Sequence, residues 1–419
     1  MRILVRQAKV VDNESEYKGQ VKDILIENGK IISIQDKISE DADEVVEHPN
    51  LHVSIGWFDL RARFCDPGLE HKETIDSGLS AAEFGGFTGV GVVSNTHPPI
   101  SSKGQVEYLI GKSNLSPVEL VPIGSVTDNA GGEQLAEMYD MSQAGARAFC
   151  DDKPLNSGIL YRALLYANNF DSVIFDLASD SSLAGKGQIN EGKSSVLTGL
   201  KGIPDISEII RVKRDIDLLK YTDGQLHLTS ISCADSVQEI KDYKKGKTNL
   251  TSDTSIHHLQ FTDTDVEGFD SNLKIFPPLR GKKDQDALKK GVLDGSIDCI
   301  CSDHNPQDKE SKDLEFDLAE FGIIGIQTFF SSVLDVFGVD QLDKIIDAFT
   351  KNPRRVLGMD APEIKEGVDA NLTFFVPDLE WEYTKESNIS LSQNSPLLGQ
   401  KLKGKAIGLI NKGVLSLQK

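Results

Sequence analysis

The apolar positions of this chain change rhythm twice. Near the N-terminus they alternate with polar residues over short spans. Asp23-Ile-Leu-Ile-Glu, then Asn28-Gly29, then Lys30-Ile-Ile-Ser-Ile predicts a β-hairpin, because Asn-Gly accepts the positive φ angles of a type I′ turn. The same style returns in Ala370-Asn-Leu-Thr-Phe-Phe-Val376, Gly404-Lys-Ala-Ile-Gly-Leu-Ile410 and Val414-Leu-Ser-Leu, with Asn411-Lys412-Gly413 as the turn. The two ends are expected to pair into one small β-sandwich domain, residues 1–52 with 362–419.

Between them, residues 53–361 read differently. Apolar strand-like runs fall near 53–60, 88–94, 118–126, 146–150, 172–177, 225–231, 248–254 and 297–302. Helical stretches such as 73–85, 157–168, 205–220, 234–243, 284–294 and 323–336 lie between most of them. Eight strands alternating with helices predict an α/β fold, a (β/α)8 TIM barrel. An open doubly wound sheet is the alternative. No G-x-G-x-x-G follows a strand, so its nucleotide-binding form has no support. In a barrel the strand C-termini line the active face. Here they supply Arg61 and Arg63, then Asn95, Asp128, Asp151, Asp152, Asp176 to Asp180, Ser230, Ser232, His257, His258, Asp303 and His304. This is a polar ring rich in carboxylates, without an evident set of metal ligands.

Composition narrows the function. The 419 residues carry 45 Lys+Arg against 65 Asp+Glu, a formal charge of −20, which argues against a nucleic-acid partner. No apolar run reaches the roughly 20 residues of a membrane span; Phe321 to Val339 comes nearest and is broken by Gln327 and Asp335. The N-terminus lacks a secretory h-region. Five scattered cysteines suit reduced thiols in a cytoplasmic protein. Eight histidines would suffice for a metal site only at ligand spacing.

Longer motifs carry a resemblance. The run from Gly56 to Glu73 (Gly-Trp-Phe-Asp-Leu-Arg-Ala-Arg-Phe-Cys-Asp-Pro-Gly-Leu-Glu-His-Lys-Glu) resembles the first-strand motif of dihydroorotases. These are zinc-dependent cyclic amidohydrolases of pyrimidine biosynthesis. Asn95-Thr-His-Pro-Pro-Ile100, Asn272 to Arg280, Asp294 to Pro306, Asn352-Pro353 with Leu357-Gly358, Gly367-x-x-Ala370-Asn-Leu and Gly399 to Gly404 are similar to further signatures of that family. The resemblance runs end to end and implies a (β/α)8 barrel with a small β domain from both termini.

The departures from the family pattern are as specific as the matches. Where the resemblance places a His-x-His zinc pair, this chain has Arg61 and Arg63. The other zinc histidines fall at Leu177 and Ser230, the carboxylate-gripping Arg at Cys65, and a substrate-binding Asn at Phe276. An Arg has no acceptor lone pair and stays cationic. The resemblance leaves Asn95 and His304 as substrate contacts, Asp151 as a metal-bridging carboxylate and Asp303 as an idle acid/base. No metal is therefore expected.

Arg61 and Arg63 have two readings. They plug the site by pairing with the orphaned Asp151 and Asp303, or they form a cationic pocket for a small anion. The first is favoured. His257-His258, following the seventh strand, reads as a structural pair, and His71 and His97 as local hydrogen-bonding residues. Three functions follow. One is a non-catalytic homologue, a homo-oligomer that assembles with aspartate carbamoyltransferase, as the resemblance implies for degenerate chains. The second is a working amidohydrolase with an altered metal site on Asp151 and Asp303. The third is a small-anion binding protein.

Overall fold

The computed structural model describes residues 1–418. Eight parallel strands form the central sheet: β1 (Trp57–Ala62), β2 (Phe87–Val92), β3 (Glu119–Gly124), β4 (Ala148–Phe149), β5 (Val173–Leu177), β6 (Leu226–Thr229), β7 (Leu250–Ser255) and β8 (Cys299–Cys301). Each pairs in parallel with the next in sequence order. The expected alternation of strand and helix is thus a TIM barrel. Its strands are buried on both faces, which explains their continuous apolar runs. Phe58, Leu60, Val121, Ile123, Ala148, Val173, Phe175, Cys299 and Cys301 fill the barrel interior. Trp57, Phe87, Val90, Leu120, Phe149 and Leu226 face the surrounding helices.

One irregularity sets up everything at the barrel mouth. Between Asp59 and Ala62, β1 has one residue more than β2 opposite it. Such a bulge reverses which side chains point inward. Phe58 and Leu60 face the interior before it; after it Ala62 and Phe64 join the outer layer, leaving Arg61 and Arg63 to point in. The barrel closes beside this bulge through one buried carboxylate and one backbone hydrogen bond. The Asp59 carboxylate accepts from the Ser302 amide at 3.0 Å and from the Ser302 hydroxyl. The Arg63 amide donates to the His304 carbonyl at 2.9 Å.

The ends of the chain build one eight-stranded sheet, mostly antiparallel. Arg2–Val10 pairs with Val21–Glu27, which forms the expected hairpin with Lys30–Gln35. Asn28 and Gly29 have φ of 51° and 79°, as a type I′ turn requires. His52–Ile55 joins this sheet to the C-terminal strand Leu372–Tyr383, so the chain passes to the barrel at Gly56, a few residues beyond the 52/53 division drawn from sequence. A Cβ at Gly56 would lie 2.0 Å from Asn371 Oδ1 and Thr88 Oγ1, and only glycine fits.

Leu372–Tyr383 and Gln400–Asn411 form a long antiparallel pair. The segment between them, residues 384–399, runs back over the barrel mouth as a strap. Asn394 Nδ2 donates to the carbonyls of Asn305 and Gly322, both at 3.0 Å, and its Oδ1 accepts from the Gln307 amide. The helix expected over 323–336 begins only at Phe329 and runs to Phe337; Ile324 instead donates its amide to Asn394. No helix among the described residues is long and apolar enough to cross a membrane.

Candidate functional site at the barrel mouth

Arg61 and Arg63 converge on one carboxylate. Arg61 donates to Asp303 Oδ1 at 2.7 Å and Arg63 donates to the same oxygen at 2.8 Å. Arg61 also donates to the Ser230 hydroxyl and lies 3.7 Å from Asp253. Arg63 grips Asp152 with two parallel bonds, 2.7 Å from Nε and 2.6 Å from a terminal nitrogen. That fork geometry is specific to arginine. Arg61 is 98% buried, so its charge has no solvent to fall back on.

Asp152, Ser230 and Asp303 all adopt positive φ, at 53°, 55° and 48°. Non-glycine residues do so rarely, and such backbone collects where side chains must be aimed. Asp253 is held in turn by the Ser230 amide at 2.8 Å and by His227 Nε2 at 3.0 Å.

The pairing differs from expectation at one position. Asp151 does not meet the arginines. Its carboxylate turns away and accepts from the amides of Val126 and Thr127 at 2.8 and 2.9 Å, and from the Thr127 hydroxyl. Its neighbour Asp152, turned by its left-handed backbone, takes the place. The His257-His258 pair lies on the short helix Ile256–Gln260 that follows β7. His258 bonds Ser255 at 2.7 Å and the Pro277 carbonyl at 3.0 Å. Burial pushes His257 down to about 4, and its Nε2 has no partner. His71 faces Asp308 at 3.2 Å.

His304 is not aimed into the open cleft. Its Nε2 lies 3.3 Å from Glu73, a fully buried carboxylate that also accepts from the Ser390 hydroxyl of the strap. Leu177, Asn95 and Phe276 do face the cleft, a cavity of about 270 Å³. Asn95 donates to Cys65 Sγ at 3.5 Å, and burial pushes the Cys65 thiol up to about 11. Phe276 packs edge-on against Phe321, 5.9 Å between ring centres.

The electrostatics follow from these contacts. Burial alone would raise the Asp303 carboxyl, but the Arg61 and Arg63 guanidiniums outweigh it and hold it well below the usual range. A carboxylate so stabilised is a poor proton acceptor near neutral pH. Burial works against the charge on Arg63, and Asp152 and Asp303 more than offset it.

The residues do not fit a zinc ion. Arginine lacks a lone pair to give, Leu177 is apolar, and the Ser230 hydroxyl is engaged by Arg61. Catalytic zinc sites use three His, Cys or carboxylate ligands. Among the described residues no three such side chains are placed to hold a metal.

Sequence reasoning named the two arginines and Asp303 but missed Asp253, His227 and Glu73 as participants. A charge in the middle of the buried strand Leu250–Ser255 was the available signal, since such a group demands a partner.

Comparison with known proteins places the fold and the chain's family. In overall shape the chain matches an L-hydantoinase (dihydropyrimidinase) from Arthrobacter aurescens with a TM-score of 0.87, at 20% identity, over 100% of this chain and 96% of that one. A crystal structure of a D-hydantoinase matches with a TM-score of 0.83 at 21% identity, over 100% and 95%. Both likenesses are of the fold. A family model described as dihydro-orotase-like matches residues 52–236.

Dihydroorotase from Endomicrobium trichonymphae is 37% identical over 414 residues, covering 97% of each chain. Dihydroorotase from Aquifex aeolicus is 36% identical over 418 residues, covering 99% of this chain and 98% of its own. The chain belongs to the dihydroorotase family.

Proposed function

We propose that this protein is a non-catalytic member of the dihydroorotase family, kept for assembly with aspartate carbamoyltransferase in the cytoplasm and itself a homo-oligomer. The observation that carries the loss of catalysis is the Arg61–Asp303–Arg63 triad. The family reaction opens a cyclic amide with water, and near neutral pH that water needs activation. Two guanidiniums repel a divalent cation, and they also hold the one retained acid/base carboxylate in an ion pair. The assembly role is supported by the resemblance and by the end-to-end match to dihydroorotases.

The test is direct. The protein is incubated with excess Zn²⁺, desalted and assayed for metal content and dihydroorotate turnover. Substoichiometric zinc and no turnover above buffer are expected. Stoichiometric metal with turnover overturns the reading in favour of an altered but working site. Co-elution with aspartate carbamoyltransferase in size-exclusion chromatography tests the second half, and separate elution at micromolar concentrations removes it.

A further inference from the structure

One wall of the mouth cleft, carrying Phe321 and Gly322, hangs on two buried lysines. Residues 313–322 form neither helix nor strand, and five of their carbonyls turn toward amines. Lys274 Nζ donates to the carbonyls of Phe316, Asp317 and Ala319 at 2.7, 3.2 and 2.5 Å. Lys312, closing the short helix Lys309–Lys312, donates to those of Glu320 and Gly322 at 2.8 and 3.2 Å. Lys274 is 2% exposed and Lys312 6%. All five bonds end on backbone carbonyls and none on a carboxylate, so two ammonium groups here would share one buried place without a counter-charge.

The bond count tells the two amines apart. An ammonium has three N–H donors and a neutral amine two. Lys274 uses three, and it lies over the Phe321 ring at 4.7 Å from the centre, where a cation is favoured. Lys312 uses two, which a neutral amine supplies in full. The surroundings agree. Burial, and after it the Lys274 charge, push Lys312 down to about 7 against the pull of Asp270 and Glu320. Asp317 and Glu320 favour the charge on Lys274. His71, Asp308, Lys309, Glu310, Asp313 and Lys385 of the strap line the neighbouring cleft without bonding either amine.

We propose that residues 313–322 are a lid on the barrel mouth, anchored by Lys274 and Lys312 and opened when the Lys312 amine takes up a proton. The added N–H has no third partner among the bonds Lys312 makes, and the added charge faces Lys274. Opening returns the amine to water. It also draws Phe321 from Phe276 and frees the Gly322 carbonyl from Asn394 of the strap, widening the cleft in which Arg63 and Asp303 lie. The sign with pH follows. In the open lid Lys312 has its ordinary 10.5, so the open form binds the proton first as pH falls. The closed lid loses ground by about tenfold per pH unit between about 10.5 and 7, and no further below. The device does not depend on whether the site turns over substrate.

Amide hydrogen exchange of the full chain and of Lys312→Met, read by mass spectrometry, tests this. Methionine fills similar space and takes no proton. Dividing native rates by variant rates at each pH removes the chemical pH dependence of exchange. Across residues 313–322 that ratio is expected to rise nearly tenfold from about pH 8.5 to about 7.5, while the barrel strand Phe87–Val92 stays unchanged. A flat ratio, or an equal rise in Phe87–Val92, overturns the proposal. Should Lys312→Met fail to fold, the native chain decides, with Phe87–Val92 as its internal reference. A lid that gains exchange over that strand as pH falls supports the device, and one that keeps step with the strand overturns it.

Discussion

Replacing Arg61 with methionine probes whether the ion pairs hold the barrel mouth together. The guanidinium touches Asp303 at 2.7 Å and lies 3.7 Å from Asp253, and both carboxylates are buried. Methionine fills similar volume but leaves them short of one counter-charge. Removing one partner of a buried pair costs about 3–5 kcal/mol. Arg63 stays on Asp303 at 2.8 Å, which puts the expected loss at the lower end, about 3 kcal/mol. That is a large share of a typical stability of roughly 5–15 kcal/mol.

Urea denaturation followed by tryptophan fluorescence is the assay. The midpoint should fall with the m-value unchanged. A second arm uses Asp303→Asn, whose neutral amide no longer needs the cation. In that background Arg61→Met should cost at least about 1 kcal/mol less, the coupling expected of touching charges. The sign with pH follows from Asp303 being held low. Its contribution is complete at neutral pH and is lost as pH falls below the ordinary carboxylate range. Equal cost of Arg61→Met in both backgrounds, or a loss under about 1 kcal/mol in the native one, refutes the reasoning.

Other outcomes follow from the same geometry. Arg63→Lys keeps the charge but loses the two-pronged grip on Asp152, and should lower stability in the same urea assay by about 1–3 kcal/mol; a change of a few tenths would count against a specific fork. His257 is held at about 4 against an ordinary 6.5, so the unfolded chain takes its proton first. Stability should decline between about pH 6.5 and 4, by up to about 3 kcal/mol. His257→Gln should flatten that decline, and a slope identical to the native one argues against the assignment. Asn394→Ala removes three hydrogen bonds that hold the strap. Amide exchange across residues 384–399 should accelerate, and unchanged protection would show that the strap is held elsewhere.

Much of the fold was legible because it rests on local patterning. Runs such as Phe87–Val92 announce a doubly covered strand, and Asn28-Gly29 announces its hairpin. The arginines were legible because a charge closing an apolar strand is conspicuous. What escaped depends on contacts across the chain or on one residue's backbone. Nothing in Cys150-Asp151-Asp152 tells which carboxylate turns inward; φ of 53° at Asp152 decides it. The bulge that points Arg61 and Arg63 inward is a matter of register with β2. The pairing of Asp253 with His227 joins neighbouring strands 26 residues apart. The strap reads as plain loop because the bonds that tie Ser390, Ser392 and Asn394 to the barrel reach Glu73, Lys72, Asn305, Gln307 and Gly322, all distant in sequence.

The seam between the first and last strands has a consequence for how the molecule comes into being. Asp59 finds Ser302 across 243 residues, and Arg61 finds Asp303 across 242. No shorter piece of the barrel contains both halves. During synthesis the two arginines emerge early, and their shared partner Asp303 appears only when nearly three quarters of the chain has been made. Contacts of such long span form late and carry the full entropy of loop closure. The ion-pair cluster is therefore a completion mark. It exists only in a ring that has closed, and any truncated or misregistered barrel is left with charges at its mouth that favour water over burial.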